Sequence, residues 1–130
     1  MDFTDLGASV TAEFVLGKLL SVPAPSALYI KLHIGDPGKD AVANPAAETT
    51  RALVVFDDPI PASTDGRAQA LTAADVIWTA VAATETYSHM SIWDDLTAGN
   101  PWYKGAIVAP IAVTAGSNFK FNAGSKLDHT

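Results

Sequence analysis

The chain has 130 residues, with 14 acidic and 8 basic side chains, a net charge of −6 and no cysteine. That length fits one domain able to bury its own core. The charge excludes the basic footprint that nucleic acid requires, and the missing cysteine excludes disulfides, thiolate metal sites and a cysteine nucleophile.

The start, Met1-Asp2-Phe3-Thr4-Asp5, is acidic where a secretory leader would be positive. Residues from about Ser9 to Leu20 have the spacing of an amphipathic helix, with Val10, Phe14, Gly17 and Leu20 on one stripe and Leu6 a turn earlier. Ser9 is the expected cap and Glu13 the acid of the first turn. The tract is broken by Thr11, Glu13 and Lys18, too short and too charged to cross a bilayer, so no membrane is expected. Val22-Pro23-Ala24-Pro25 stops the helix. The expected organisation is a helix and Pro-rich connector over 1–25, then a β domain over 26–130.

From Ala27 to Ile34 the alternation is that of a strand, with Leu28, Ile30, Leu32 and Ile34 on one face and Tyr29, Lys31 and His33 on the other. Asp36-Pro37-Gly38-Lys39 fits a type II turn with glycine at the positive-φ position, and residues 39–50 read as a surface loop. Ala52–Phe56 is a strand ended by Asp57-Asp58-Pro59; residues 59–74 read as loop; Val76–Val81 is the next strand. It is expected beside Tyr87–Asp95, the stretch richest in both rings and polar tips. Read in twos, Tyr87, His89, Ser91 and Trp93 share one face there, and Ser88, Met90 and Ile92 the other. Trp102–Val108 is a further strand, Pro110–Val113 a shorter one, and Phe119–Phe121 another; Leu127 and His129 fall in a last short strand.

One helix followed by short strands without strand–helix alternation predicts a mainly β fold. The expected form is an antiparallel β-sandwich of Greek-key or jelly-roll type, with a small barrel as the rival.

Chemistry-bearing residues are scattered. His33, His89 and His129 form no ligand-spaced pair, although the fold could gather them with Asp94 or Asp95 around zinc. Asp36, Asp40, Asp57-Asp58 and Asp94-Asp95 sit at turns, where aspartate is favoured for backbone mimicry, and none has calcium-loop spacing. No serine stands in a nucleophile elbow and no glycine loop suits a phosphate. No catalytic, cofactor or metal residue is therefore expected. The candidates are instead an interface of rings, Tyr87, His89, Trp93, Trp102 and Tyr103, for a protein partner or a stacked sugar, with Trp78 assigned to the core.

Several motifs carry a family resemblance: Leu32-His33-Ile34-Gly35-Asp36-Pro37-Gly38, Ala43-Asn44-Pro45-Ala46, Thr49-Thr50-Arg51, Ala83 through Asp94, Gly105-Ala106, Ala109-Pro110 and Val113-Thr114-Ala115-Gly116. In order and spacing the chain resembles small tailed-phage virion proteins labelled tail-fibre or minor tail proteins. The resemblance implies a non-enzymatic, oligomeric structural component of the virion, made in the host cytoplasm and contacting tail or capsid subunits. Capsid decoration and carbohydrate binding are the alternative roles. Lys126-Leu127-Asp128-His129-Thr130 is shorter and more polar than the family's last strand, so a curtailed strand, or one completed by a neighbour, is expected there.

Overall fold

The computed structural model describes residues 2–58, 60–61 and 68–129. The fold is mainly antiparallel β with one short N-terminal helix. In chain order the elements are β1 (Asp2–Phe3), α1 (Asp5–Val15), β2 (Leu28–His33), β3 (Ala52–Val54), β4 (Ile60–Pro61), β5 (Ala68–Leu71), β6 (Val76–Trp78), β7 (Glu85–Trp93), β8 (Pro101–Val113), β9 (Phe119–Phe121) and β10 (Lys126–His129). A five-stranded sheet runs β1-β8-β7-β2-β3; β6 pairs with β9, and β10-β5-β4 form a third sheet.

The alternation of β2 sets the layers. Ile30 pairs across from Ile92 and Leu32 from Met90, and these side chains face a core shared with Val76, Trp78 and Phe119 of the β6–β9 pair. Trp78 lies 5.5 Å from Phe119 and 5.8 Å edge-on from Phe121, and Tyr87 meets Phe119 edge-on at 5.3 Å. The aromatic block thus ties the small sheet to the inner face of the large one. Layers facing each other across one core give the molecule its sandwich character.

Four expectations about elements are corrected. The helix begins earlier, capped by Thr4, whose hydroxyl accepts from the Gly7 N–H at 3.1 Å. It ends at Val15, and Gly17 (φ +68) closes it rather than joining its stripe. The Gly17 N–H donates to the Phe14 carbonyl and the Lys18 N–H to that of Glu13, the paired bonds of a Schellman motif. Second, β6 does not neighbour β7. Val81 exchanges backbone bonds with Gly116 and Ser117, which turns the chain toward β9, leaving β7 between β2 and β8. Third, the expected loop over residues 59–74, of which 59 and 62–67 lie outside the described residues, includes two strands, because pairing of β5 with β10 and of β4 with β5 overrides a weak local pattern. That pairing also gives the last strand an intramolecular partner.

The fourth correction concerns the long strand pair. Trp102–Val108 and Pro110–Val113 belong to one strand, β8. Between the pairs Tyr87–Ile111 and His89–Ala106, β7 advances by two residues and β8 by five. A bulge of this kind bends the strand and accommodates a proline that cannot donate to a ladder. Val108 at its crest is fully exposed. The irregularity also shifts the phase of β7: Tyr87 joins Ile92 in the core, five residues away, instead of sharing the face of His89.

The segment after β2 is not a free surface loop. Gly38 adopts φ +76, as the expected turn requires; Pro37 and Ala41 are buried, the Ala43 carbonyl reaches His33 on the outer face, and the segment then pairs beside β2, with Pro45 opposite His33 and Ala46 in the core.

Candidate functional site

The outer face of β2 and β7, beneath this returning segment, collects most of the polar residues singled out above. The antiparallel register sets His33 opposite His89, Lys31 opposite Ser91 and Tyr29 opposite Trp93. His33 and Ser91 are both fully buried. The His33 Nδ1 lies 2.9 Å from the Ala43 carbonyl and its Nε2 2.8 Å from the Ser91 hydroxyl. A carbonyl only accepts, so Nδ1 carries the proton and Nε2 accepts from Ser91. The Ser91 oxygen in turn accepts from the Trp93 indole N–H at 2.8 Å. Every polar atom of this relay has a partner inside the chain. Burial lowers the His33 pKa, and the positive charge of Lys31 adds to that.

A hydroxyl beside an imidazole is the geometry of an activated nucleophile. Here the imidazole holds a main-chain carbonyl, and both side chains are sealed from solvent. The relay works as a clamp that holds residues 35–46 on the sheet.

Trp93 is also buried, with the Arg51 guanidinium 4.1 Å and the Lys31 ammonium 5.6 Å from its ring centroid. Arg51 donates to the Asp95 and Ala98 carbonyls at 2.8 and 2.7 Å, closing the turn after β7 from one side. Asp94 closes it from the other, accepting from the Asn100 N–H at 2.6 Å and from the Trp102 indole at 3.1 Å. Burial opposes ionisation of Asp94, but the hydrogen bonds from Asn100 and Trp102 outweigh it and hold the carboxyl below its ordinary range. Gly99 (φ +76) is required here, since a side chain would collide with the Asp94 carboxylate.

The five ring-bearing candidates therefore separate. Tyr87 lies in the core; its hydroxyl has no partner among the described residues, and burial, with Glu85 and Glu48 nearby, pushes its pKa up to about 12. Trp93 sits under Arg51. Trp102 is buried, lining a shallow groove of about 250 Å³ with Val10, Phe14, Leu20 and Pro25. Tyr103 is half-buried on the opposite side of β8, stacked on Phe3 at 5.0 Å. His89 is half-buried with its Nδ1 2.9 Å from the Ser88 hydroxyl.

The acidic residues follow the same pattern. The Glu85 carboxylate accepts the N–H groups of Ala47 and Glu48, and that of Glu48 those of Thr50 and Ala82. Asp36 accepts from the Gly38 N–H at 2.9 Å and lies 3.4 Å from Lys104; the first of these contacts most lowers its pKa. Among the described residues no three histidine, aspartate or glutamate side chains gather as a metal site. The side chain of His129 lies outside them. No helix among the described residues is long and apolar enough to cross a membrane.

Sequence reasoning missed a large concavity among the described residues. An apolar cleft of about 430 Å³ opens beneath the β8 bulge, floored by Ile30, Phe56, Met90, Ile107, Ile111 and Phe121. Its floor residues come from five distant stretches, so no local pattern announces it. The exposed Val108–Pro110 lip beside it is the visible trace, readable only once the strand is known to bulge.

No curated protein matches this chain. A family model described as "Podophage GP4 fiber I protein gp80" matches residues 9–127, nearly the whole length. The chain belongs to this family of phage fibre proteins.

Proposed function

We propose that this protein is a non-enzymatic structural component of a podophage tail fibre and acts through contacts with other virion proteins. One observation carries the reading. Among the described residues, the buried and half-buried polar groups around the sheet are bonded to the chain's own backbone or to each other, while large apolar groups face solvent. His33, Ser91, Glu48, Glu85, Asp94 and Arg51 all hold loops onto the sheet. Leu19, Leu16, Val108, Leu53 and Ile77 are exposed by half or more. Contiguous apolar surface marks protein contact sites, and the consecutive Phe14, Val15 and Leu16, each exposed by 70% or more, form such a run.

Within the ring cluster, His89 and Tyr103 keep surface to offer a partner. Tyr87, Trp93 and Trp102 contribute by fixing the shape of that surface. A sugar stacking on Trp93 would have to displace Arg51, which disfavours the glycan reading. Capsid decoration is the competing structural role, and the fibre family disfavours it. Gold-labelled antibody against the chain, applied to intact virions, tests the placement. Label on the fibres is expected; label across capsid faces would overturn it.

A further inference from the structure

The two layers do not close completely on one another. Beneath the β8 bulge they leave the apolar cleft of about 430 Å³, with Ile30, Met90 and Ile111 on one wall and Phe56 and Phe121 on the other. All but Ile30 pack against the core yet stay only partly buried. Protein interiors ordinarily hold few voids larger than a water molecule, and water finds too few hydrogen-bonding partners among such walls to fill this one well. The volume lies toward the lower end of the range of about 300–1,000 Å³ usual for small-molecule pockets.

We propose that this cleft binds one aliphatic hydrocarbon chain, the tail of a single-chain amphiphile whose head stays in solvent at the mouth. The rim argues for a ligand without polar groups along its length, because the rim hydroxyls are already committed within the chain. Thr72 donates to the Asn122 carbonyl at 3.2 Å and accepts from the Ser125 N–H at 3.0 Å, and the Ser125 hydroxyl donates to the Asn122 carbonyl at 2.7 Å. Lys126 beside them is also engaged. A peptide segment carries a donor and an acceptor at each residue, and burying them against these walls would leave them unpaired at a cost. A hydrocarbon chain brings none.

The walls favour a flexible chain over a flat ring. They set branched aliphatic side chains beside Met90, whose thioether adapts to irregular shapes. Val108 and Ala109 at the mouth are exposed and continue the apolar path to the surface. The volume suits one chain rather than the two of a bilayer lipid, and a net charge of −6 opposes approach to an anionic membrane. Such a site belongs to the single chain and does not depend on the fibre reading.

The probes are straight 1-alkanols from pentanol to dodecanol, titrated into the full chain carrying carbon-13 in its methionine methyl groups. The sequence has two methionines, Met1 and Met90, so Met90 reports on the cleft and Met1 is the control. A saturable shift of the Met90 resonance is expected, with Met1 unmoved. Affinity should rise about fourfold per added methylene, the equivalent of about 0.8 kcal/mol, and stop rising once the cleft is full. Ile107→Trp, a larger side chain at a position lining the cleft, should weaken binding at least tenfold without lowering the melting temperature. Should that variant fail to fold, the wild-type chain-length series still decides. Equal, unsaturable shifts at both methionines, or affinity that climbs through the whole series, would mean bulk partitioning and overturn the proposal. A Met90 resonance unmoved by every alkanol would overturn it too, and is the result expected if the cleft instead receives side chains of a partner protein. Binding undiminished in a folded Ile107→Trp chain would place the ligand elsewhere. Flotation with phosphatidylcholine vesicles in place of alkanol binding would make a bilayer the partner and sink the single-chain reading.

Discussion

Replacing Ser91 with alanine removes one oxygen and breaks two buried bonds. The Trp93 indole N–H, 2.8 Å from that oxygen, loses its acceptor, and the His33 Nε2, also 2.8 Å away, loses its donor. His33 and Ser91 are fully buried and Trp93 is 7% exposed, so water does not readily substitute. An orphaned buried polar group costs about 1–3 kcal/mol, so two cost roughly 2–6 kcal/mol. For a domain of this size that is on the order of 10 °C or more in melting temperature. Thermal unfolding followed by near-ultraviolet circular dichroism measures the loss. Amide hydrogen exchange should show residues 35–46 losing protection first, since His33 holds that segment through Ala43. A loss below about 0.5 kcal/mol, the usual size for a surface change, would refute the clamp.

The same clamp predicts a pH dependence. The folded pKa of His33 lies below its ordinary 6.5, so the unfolded chain takes up the proton first as pH falls. The stabilisation is complete above about 6.5 and declines as pH drops below it, levelling once the folded form also protonates. Urea titrations across pH 8 to 5 should show this decline in wild type and a smaller one in His33→Phe; equal slopes would contradict it. Tyr87→Phe removes a buried hydroxyl that has no partner among the described residues and should leave stability equal or raised by up to about 1 kcal/mol, read from the denaturation midpoint. Gly99→Ala places a side chain at φ +76 against Asp94 and should cost about 2 kcal/mol or more in the same assay. Thr4→Ala deletes the helix cap and the hydroxyl bond to the Pro101 carbonyl and should cost about 1–2 kcal/mol, with faster exchange confined to the first turns of α1.

What was legible in the sequence was whatever is set by near neighbours. The alternation in Ala27–Ile34 identified a strand, realised over Leu28–His33 with Leu28, Ile30 and Leu32 toward the core and Ile34 exposed beyond its end, and Asp36-Pro37-Gly38 announced a turn whose glycine takes the expected angle. The mainly β class followed from the density of turn residues between short apolar runs. What escaped was set by distant partners. Thr4 caps the helix because Gly7 allows it to lie on the Trp102 carbonyl, almost a hundred residues along the chain. The five-against-two mismatch at the β8 bulge shifts the phase of β7, so strict counting in twos sent Tyr87 to the wrong face. The alternation put His33 on the polar face of its strand, and its burial there was not legible because the covering segment follows a turn and returns only through Ala43. Trp93 and Trp102 carried the composition of an interface, yet Arg51 and Asp94 draw them inward.

Single-particle cryo-electron microscopy of the intact virion tests the central claim most directly. The account predicts density for the five-stranded sheet and α1 within the tail fibre, with neighbouring subunits meeting its exposed apolar surfaces while the His33–Ser91–Trp93 relay stays enclosed. Density for this fold repeated over the capsid lattice, or a ligand seated at Ser91 and His33, would contradict it.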